Sequence, residues 1–190
     1  MSRREKTMTA IVDAAEQLLQ EGGAKALTAG AVAESVGLAR NSLYRYVDSI
    51  DDLRGLVVSR HLPRMFADMQ DTLESAENPE KALVDYVRAN LRIAAESNHA
   101  WLIRITENIS GSTAEDIGRM HRDLENALLE VCTHIDPDGS RMTADLINGV
   151  ISVGFNCLEK NMNPGDVEQR CVEAVSAILT ARRRNVERGN

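Results

Sequence analysis

Apolar side chains recur every three or four residues along almost the whole chain, from about residue 3 to about residue 185. No segment alternates polar and apolar for long enough to make a strand. A chain patterned this way buries one stripe of each helix against other helices. It predicts an all-α architecture of about nine helices. With 4 Pro and 12 Gly in 190 residues, and 43% hydrophobic side chains, helix breakers are few and core material is ample.

The first helix is expected over about residues 3–21. Met8, Ile11, Val12, Ala15, Leu18 and Leu19 make its apolar stripe, and Gly22-Gly23 ends it. Thr28 is placed to cap a short second helix. Gly37 interrupts after Val36, and a third helix is expected from about Ala39 to Val47. Ser49 opens a fourth, with Asp51 and Asp52 in its first turn, where the helix dipole favours carboxylates. Pro63 lies inside that run and predicts a kink or break. Asn78-Pro79 reads as a cap followed by proline at the first helical position. A short helix is expected through Trp101, Leu102, Ile105 and Ile109, then a longer one from Thr113 to about His134. Asp136-Pro137-Asp138-Gly139 is a turn. Two helices, about 140–160 and 165–185, finish the chain.

The formal charge of −7, taken whole, argues against a polyanionic partner. Its distribution removes that argument. Residues 1–64 hold nine basic and eight acidic side chains, whereas residues 65–190 hold 13 and 21. Between Glu34 and Asp48 there is no acid, while Arg40 and Arg45 are present. Acid-free windows of this length are common, so the window matters only if it also forms a docking element. No run approaches the ~18 apolar residues of a membrane span, and no signal-type run follows the N-terminus. The chain therefore reads as cytoplasmic, with no membrane partner. Cys132, Cys157 and Cys171 are odd in number and lack Cys-x-x-Cys spacing, so they read as buried thiols. His61, His99, His121 and His134 do not cluster. No nucleophile–base pair emerges from spacing, and no metal, cofactor or catalytic site is expected.

The informative stretch is Leu27–Val47. Two short helices that cross steeply need a small residue at their closest approach, which Ala33 supplies. They also need a turn residue that tolerates positive φ, and Gly37 follows four positions later. Val32, Val36, Leu38 and Leu43 fall on the inner faces. Arg40, Asn41, Ser42, Tyr44 and Arg45 are left pointing outward. Arginine pairs bidentately with guanine and asparagine with adenine, while Ser and Tyr hydroxyls suit phosphates. The Ala33–Gly37 spacing alone fits any helical hairpin. The outward residues and the missing acids favour DNA.

Here residues 3–60 resemble the TetR family of one-component transcriptional repressors. The matching features are the amphipathic first helix, Gly-x-x-x-Leu-Thr at Gly23–Thr28, and Val-Ala-x-x-x-Gly at Val32–Gly37. Ser42-Leu43-Tyr44-x-Tyr46 and Ser49-x-Asp51-Asp52-Leu53 complete them. The remainder matches in length and helical pattern only. Three positions depart: Ala39 replaces the usual capping Ser, Val47 an aromatic, and Ile50 a lysine. The resemblance implies base-edge roles for Arg40, Asn41 and Arg45, and backbone roles for Thr28, Ser42, Tyr44 and Tyr46. It also implies a non-enzymatic homodimer that binds a palindromic double-stranded DNA operator and is released by a small-molecule effector. A DNA-binding regulator controlled by a protein partner is the alternative. Arg3, Arg4 and Lys6 either add phosphate or minor-groove contacts or form a solvated tail. The implied division is a helix-turn-helix domain over 1–48 and a helical ligand-binding and dimerisation domain over 49–190.

The last two helices are the expected dimer interface, as a four-helix bundle. Leu146, Gly149, Val150, Val153, Gly154 and Leu158 come from the first, and Val167, Cys171, Val175, Ile178 and Leu179 from the second. The same faces would also serve to close one subunit's own core. The expected effector, a lipophilic small molecule, would be oriented by Arg104, Asn108 and His121. Its walls would be Met65, Met69, Trp101, Ile105, Met120, Leu124 and Phe155. Met and aromatic residues at helical spacing equally suit plain core.

Overall fold

The structure is a computed structural model that describes residues 1–96 and 112–189, apart from the side chains of residue 112 and residues 184–189. The described residues are all-helical. Eight α-helices follow in order: α1 Arg3–Gly22, α2 Ala29–Ser35, α3 Arg40–Leu43, α4 Ile50–Glu74, α5 Pro79–Ala95, α6 Ser112–Thr133, α7 Ser140–Glu159 and α8 Pro164–Gly189. A 3-10 turn, Gly23–Lys25, lies between α1 and α2. The chain forms two compact units that divide at Pro63.

The first unit holds residues 1–63 and the start of α6 up to Gly118. Its core is the apolar stripe of α1, with Ile11, Ala15 and Leu19 fully buried, closed by Val32, Leu43, Leu53 and Val57. Ser49 opens α4 as expected: its hydroxyl accepts from the Asp52 N–H at 2.9 Å, and Asp52 reaches back to the Asp48 N–H. Arg60 Nη1 of α4 donates to Asp13 at 2.6 Å and to Glu16 at 3.1 Å on α1, so one guanidinium nitrogen ties these two helices together. The compact unit thus takes in the first part of α4, which Arg60 ties to α1. The helix itself continues through Pro63, an exposed position, although proline leaves the Ser59 carbonyl without its usual N–H. The expected break is thus not a break in the helix; Pro63 is where the units divide.

The second unit holds the rest of α4, α5, and α6 from Arg119 through α8. Asn78 caps α5 by accepting from the Lys81 N–H at 2.8 Å, with Pro79 at the first helical position. Leu83, Val87 and Leu91 bury the inner face of α5, and α8 packs against both α5 and α7. At Gly154 of α7 a Cβ would meet the end of the Leu91 side chain and crowd Cys171, so these helices approach closely there and Leu91 would have to shift for a larger residue. The Asp136–Gly139 turn is locked from inside: the fully buried Thr143 hydroxyl donates to Asp136 Oδ2 at 2.8 Å. Burial, with the Asp136 charge nearby, pushes the Cys132 thiol up to about 12. That thiol stays protonated and inert. Cys171 is also buried and Cys157 is half-buried, and all three are free thiols.

Candidate nucleic-acid interface

The geometry of the interface begins with a cap. Thr28 has extended backbone, and its hydroxyl accepts from the Ala31 N–H at 3.2 Å, starting α2. Val32 and Ala33 turn inward and are buried. The chain then reverses at Gly37, whose φ of +66° lies in the left-handed region that glycine alone enters without cost. The Leu38 N–H closes the turn on the Ala33 carbonyl at 2.8 Å.

The third helix is shorter than the sequence suggests. Regular α-helix covers only Arg40–Leu43, and the chain continues to Tyr46 as tight turns. The Arg45 N–H bonds the Ser42 carbonyl and the Tyr46 N–H bonds the Leu43 carbonyl, both three residues apart. Ala39 has N-cap geometry but no side chain to accept a bond. Ala39→Ser is expected to raise stability by about 0.5–2 kcal/mol, since that oxygen would satisfy a free N–H of the first turn. A urea melt checks this, and an unchanged or lower midpoint counts against the missing cap as the cause.

Leu43 is fully buried and anchors α3. Thr28, Arg40, Asn41, Tyr44 and Arg45 are exposed, while Ser42 and Tyr46 are half-buried. Of the seven residues expected at DNA, five are exposed and two half-buried, and no acid lies between Glu34 and Asp48 to oppose a polyanion.

From the sequence, the N-terminal arginines fit either a DNA contact or a loose tail. In the structure Arg3 and Arg4 lie in the first turn of α1. That turn is fixed by a capping box: the Glu5 N–H donates to Ser2 Oγ, and the Ser2 N–H to Glu5 Oε2 at 2.7 Å. The Ser2-x-x-Glu5 spacing was the available signal. Arg3, Arg4, Leu38, Ser42, Arg45 and Tyr46 line a cleft of about 540 Å³.

The expected effector residues that the structure describes differ in burial. Met69 and Leu124 are buried core, Met65, Met120 and Phe155 are half-buried, and His121 is exposed, meeting Phe66 edge-on at 4.7 Å. Trp101, Arg104, Ile105 and Asn108 lie outside the described residues. A separate hollow of about 540 Å³ in the second unit is lined by Leu73, Glu77, Asn78, Pro79, Glu130 and His134, among others. None of the described residues among the expected effector set lines it.

The residues expected at a dimer face divide by their burial. Gly154, Val167, Cys171, Val175 and Leu179 are buried within the subunit, where α8 meets α5 and α7, so they have no surface to offer a second copy. Val150, Leu158 and Ile178 are half-buried. Leu146, Gly149 and Val153 are exposed, with Val153 at 59%. Met142 continues their stripe at 61% exposure, and Ala174, Ala177 and Ala181 share an exposed face of α8. The periodicity found these helices but chose the inner stripe of α8.

An all-helical chain with an exposed, acid-free helix set on a tight turn defines a helix-turn-helix protein. Residues 11–55 match the model for bacterial regulatory proteins, tetR family. An HTH-type transcriptional regulator of Mycobacterium tuberculosis, Rv1255c, is 27% identical over 114 residues, covering 59% of this chain and 56% of that one. The chain thus spans about half the length of the curated relatives it matches. A TetR-family regulator of Streptomyces coelicolor, SCO4454, superposes with a TM-score of 0.73 at 10% identity, covering 94% of this chain and 97% of its own. The regulator FadR from Bacillus subtilis, solved in complex with stearoyl-CoA, gives 0.67 at 15% identity, covering 88% and 97%. These likenesses establish the fold. No helix among the described residues is long and apolar enough to cross a membrane. Among the same residues no group of three His, Cys, Asp or Glu is placed to hold a metal ion.

Proposed function

We propose that this chain is a one-component transcriptional repressor that works in the cytoplasm as a homodimer on a pseudo-palindromic operator. The observation that carries the reading is the outward face of α3: Arg40, Asn41, Tyr44 and Arg45 are exposed around the buried Leu43. Arg40 and Asn41 offer the two side chains best shaped for bidentate base pairing in the major groove. A single short helix reads only a few base pairs, so a second copy is needed to lengthen the site. The exposed apolar stripe of α7, Met142, Leu146, Gly149 and Val153, supports pairing between copies. The acidic second unit repels DNA and leaves affinity to the first. A lipophilic effector held by the second unit is the proposed release signal, supported by the fold shared with the FadR that was solved with stearoyl-CoA. Such an effector acts only if it binds two positions of α4 with different affinity.

The test is discrimination. A duplex selected by the protein from a random library is compared with a scrambled duplex of the same length. Arg40→Ala with Asn41→Ala should cost about 1–3 kcal/mol of discrimination for each base that is no longer read, a drop of at least tenfold in the affinity ratio. An unchanged ratio would remove α3 as the reading element.

A further inference from the structure

We infer that Arg3, Arg4 and Arg45 form a seat for a DNA backbone phosphate, distinct from the base-reading residues. The inference rests on the DNA-binding reading above and moves Arg45 from a base-edge role to a backbone role. Three guanidinium side chains, Ser42 and Tyr46 line one cleft with Leu38, and no carboxylate lines it. Guanidinium groups only donate, and the Ser and Tyr hydroxyls are able to donate, so the lining suits an acceptor-only anion. None of the three arginines makes an ion pair among the described residues.

The arginines are also positioned rather than loose. The capping box holds Arg3 and Arg4 in the first turn of α1. Arg4 Nη2 donates to the Arg45 carbonyl at 3.5 Å, joining that turn to the one that follows α3. An anion seated there lies next to the surface that presents Arg40 and Asn41. The anion that fits both neighbours at once is a phosphate of the same duplex whose bases α3 reads. Seating it fixes the height and tilt of α3 over the groove, while carrying no sequence information itself.

The experiment is a salt titration of the full chain by fluorescence anisotropy, on the selected duplex and on its scrambled counterpart. Arg3→Ala with Arg4→Ala, and separately Arg45→Ala, should weaken binding to both duplexes by the same factor. The slope of log affinity against log salt should fall by about one for each phosphate that is no longer neutralised. Arg45→Lys should retain most of the slope, and thermal melts should match wild type because these side chains are exposed. Slopes equal to wild type would overturn the seat. So would an Arg45→Ala defect confined to the selected duplex, which would return Arg45 to a base edge. Inorganic phosphate that raises the melting temperature of wild type but not Arg45→Ala, while the DNA slopes stay equal, would make the cleft a free-anion site and overturn the inference. If wild type binds neither duplex, the DNA reading itself fails, which is a separate and recognisable outcome.

Discussion

Leu43→Ala is expected to destabilise the first unit by about 2–5 kcal/mol and to abolish operator binding. Leu43 is the one fully buried side chain on α3, a helix of four residues without a side-chain cap. So short a segment has no helical stability of its own, because nucleation costs more than one turn returns. Its shape therefore depends on the anchor. Truncation leaves a cavity beneath α3 and frees Arg40, Asn41 and Arg45 from any fixed geometry. Hydrogen exchange checks the mechanism. The amides of Ser42, Tyr46 and Val47, which bond the carbonyls of Ala39 and Leu43, should lose protection, while amides of α5 and α8 keep theirs. Protected α3 amides together with unchanged DNA affinity would mean that Leu43 is not the anchor.

Much of the fold was legible because local signals agreed with packing. Thr28, Ser49 and Asn78 cap the helices they were expected to cap, each by accepting from a backbone N–H three residues on. Gly37 takes the positive φ that the crossing of α2 and α3 requires. Where expectation and structure differ, the competing terms are not visible along the sequence. Pro63 removes one helical bond, yet the packing of α4 on both sides keeps the helix running. The compact units divide at Pro63, and Arg60 Nη1 joins α4 to Asp13 and Glu16, partners 44 or more positions away in sequence.

The site was legible to different depths. The exposed face of α3 followed from periodicity, since residues beside a buried Leu43 must point outward. The cleft did not, because it joins residues 3 and 4 to residues 38–46 across the fold. Composition could report the local charge there but not that Arg4 and Arg45 meet. The residues expected around an effector were least legible. Met69 and Leu124 have the same spacing whether they line a cavity or fill a core, and here they fill a core.

Leu146→Glu with Val153→Glu is expected to convert the proposed dimer to a monomer and to weaken operator binding by at least a hundredfold. The two side chains are 38% and 59% exposed on α7, so folding of the subunit has little to lose. Exposed substitutions away from special features usually shift stability by about 0.5 kcal/mol or less. At a two-fold interface each substitution appears twice, so two new carboxylates per subunit place four charges in one apolar interface. Desolvating them costs far more than such an interface returns. DNA binding then falls because the second recognition helix is no longer tethered, and tethering is worth about 10²–10⁴ in affinity. Light scattering gives the mass and anisotropy gives the affinity. Val175→Ala is the contrasting change: Val175 is fully buried inside the subunit, so it should lower the melting temperature while leaving a folded dimer. A dimer that survives both glutamates would place the interface elsewhere, because the buried stripe of α8 cannot serve both the subunit core and a partner.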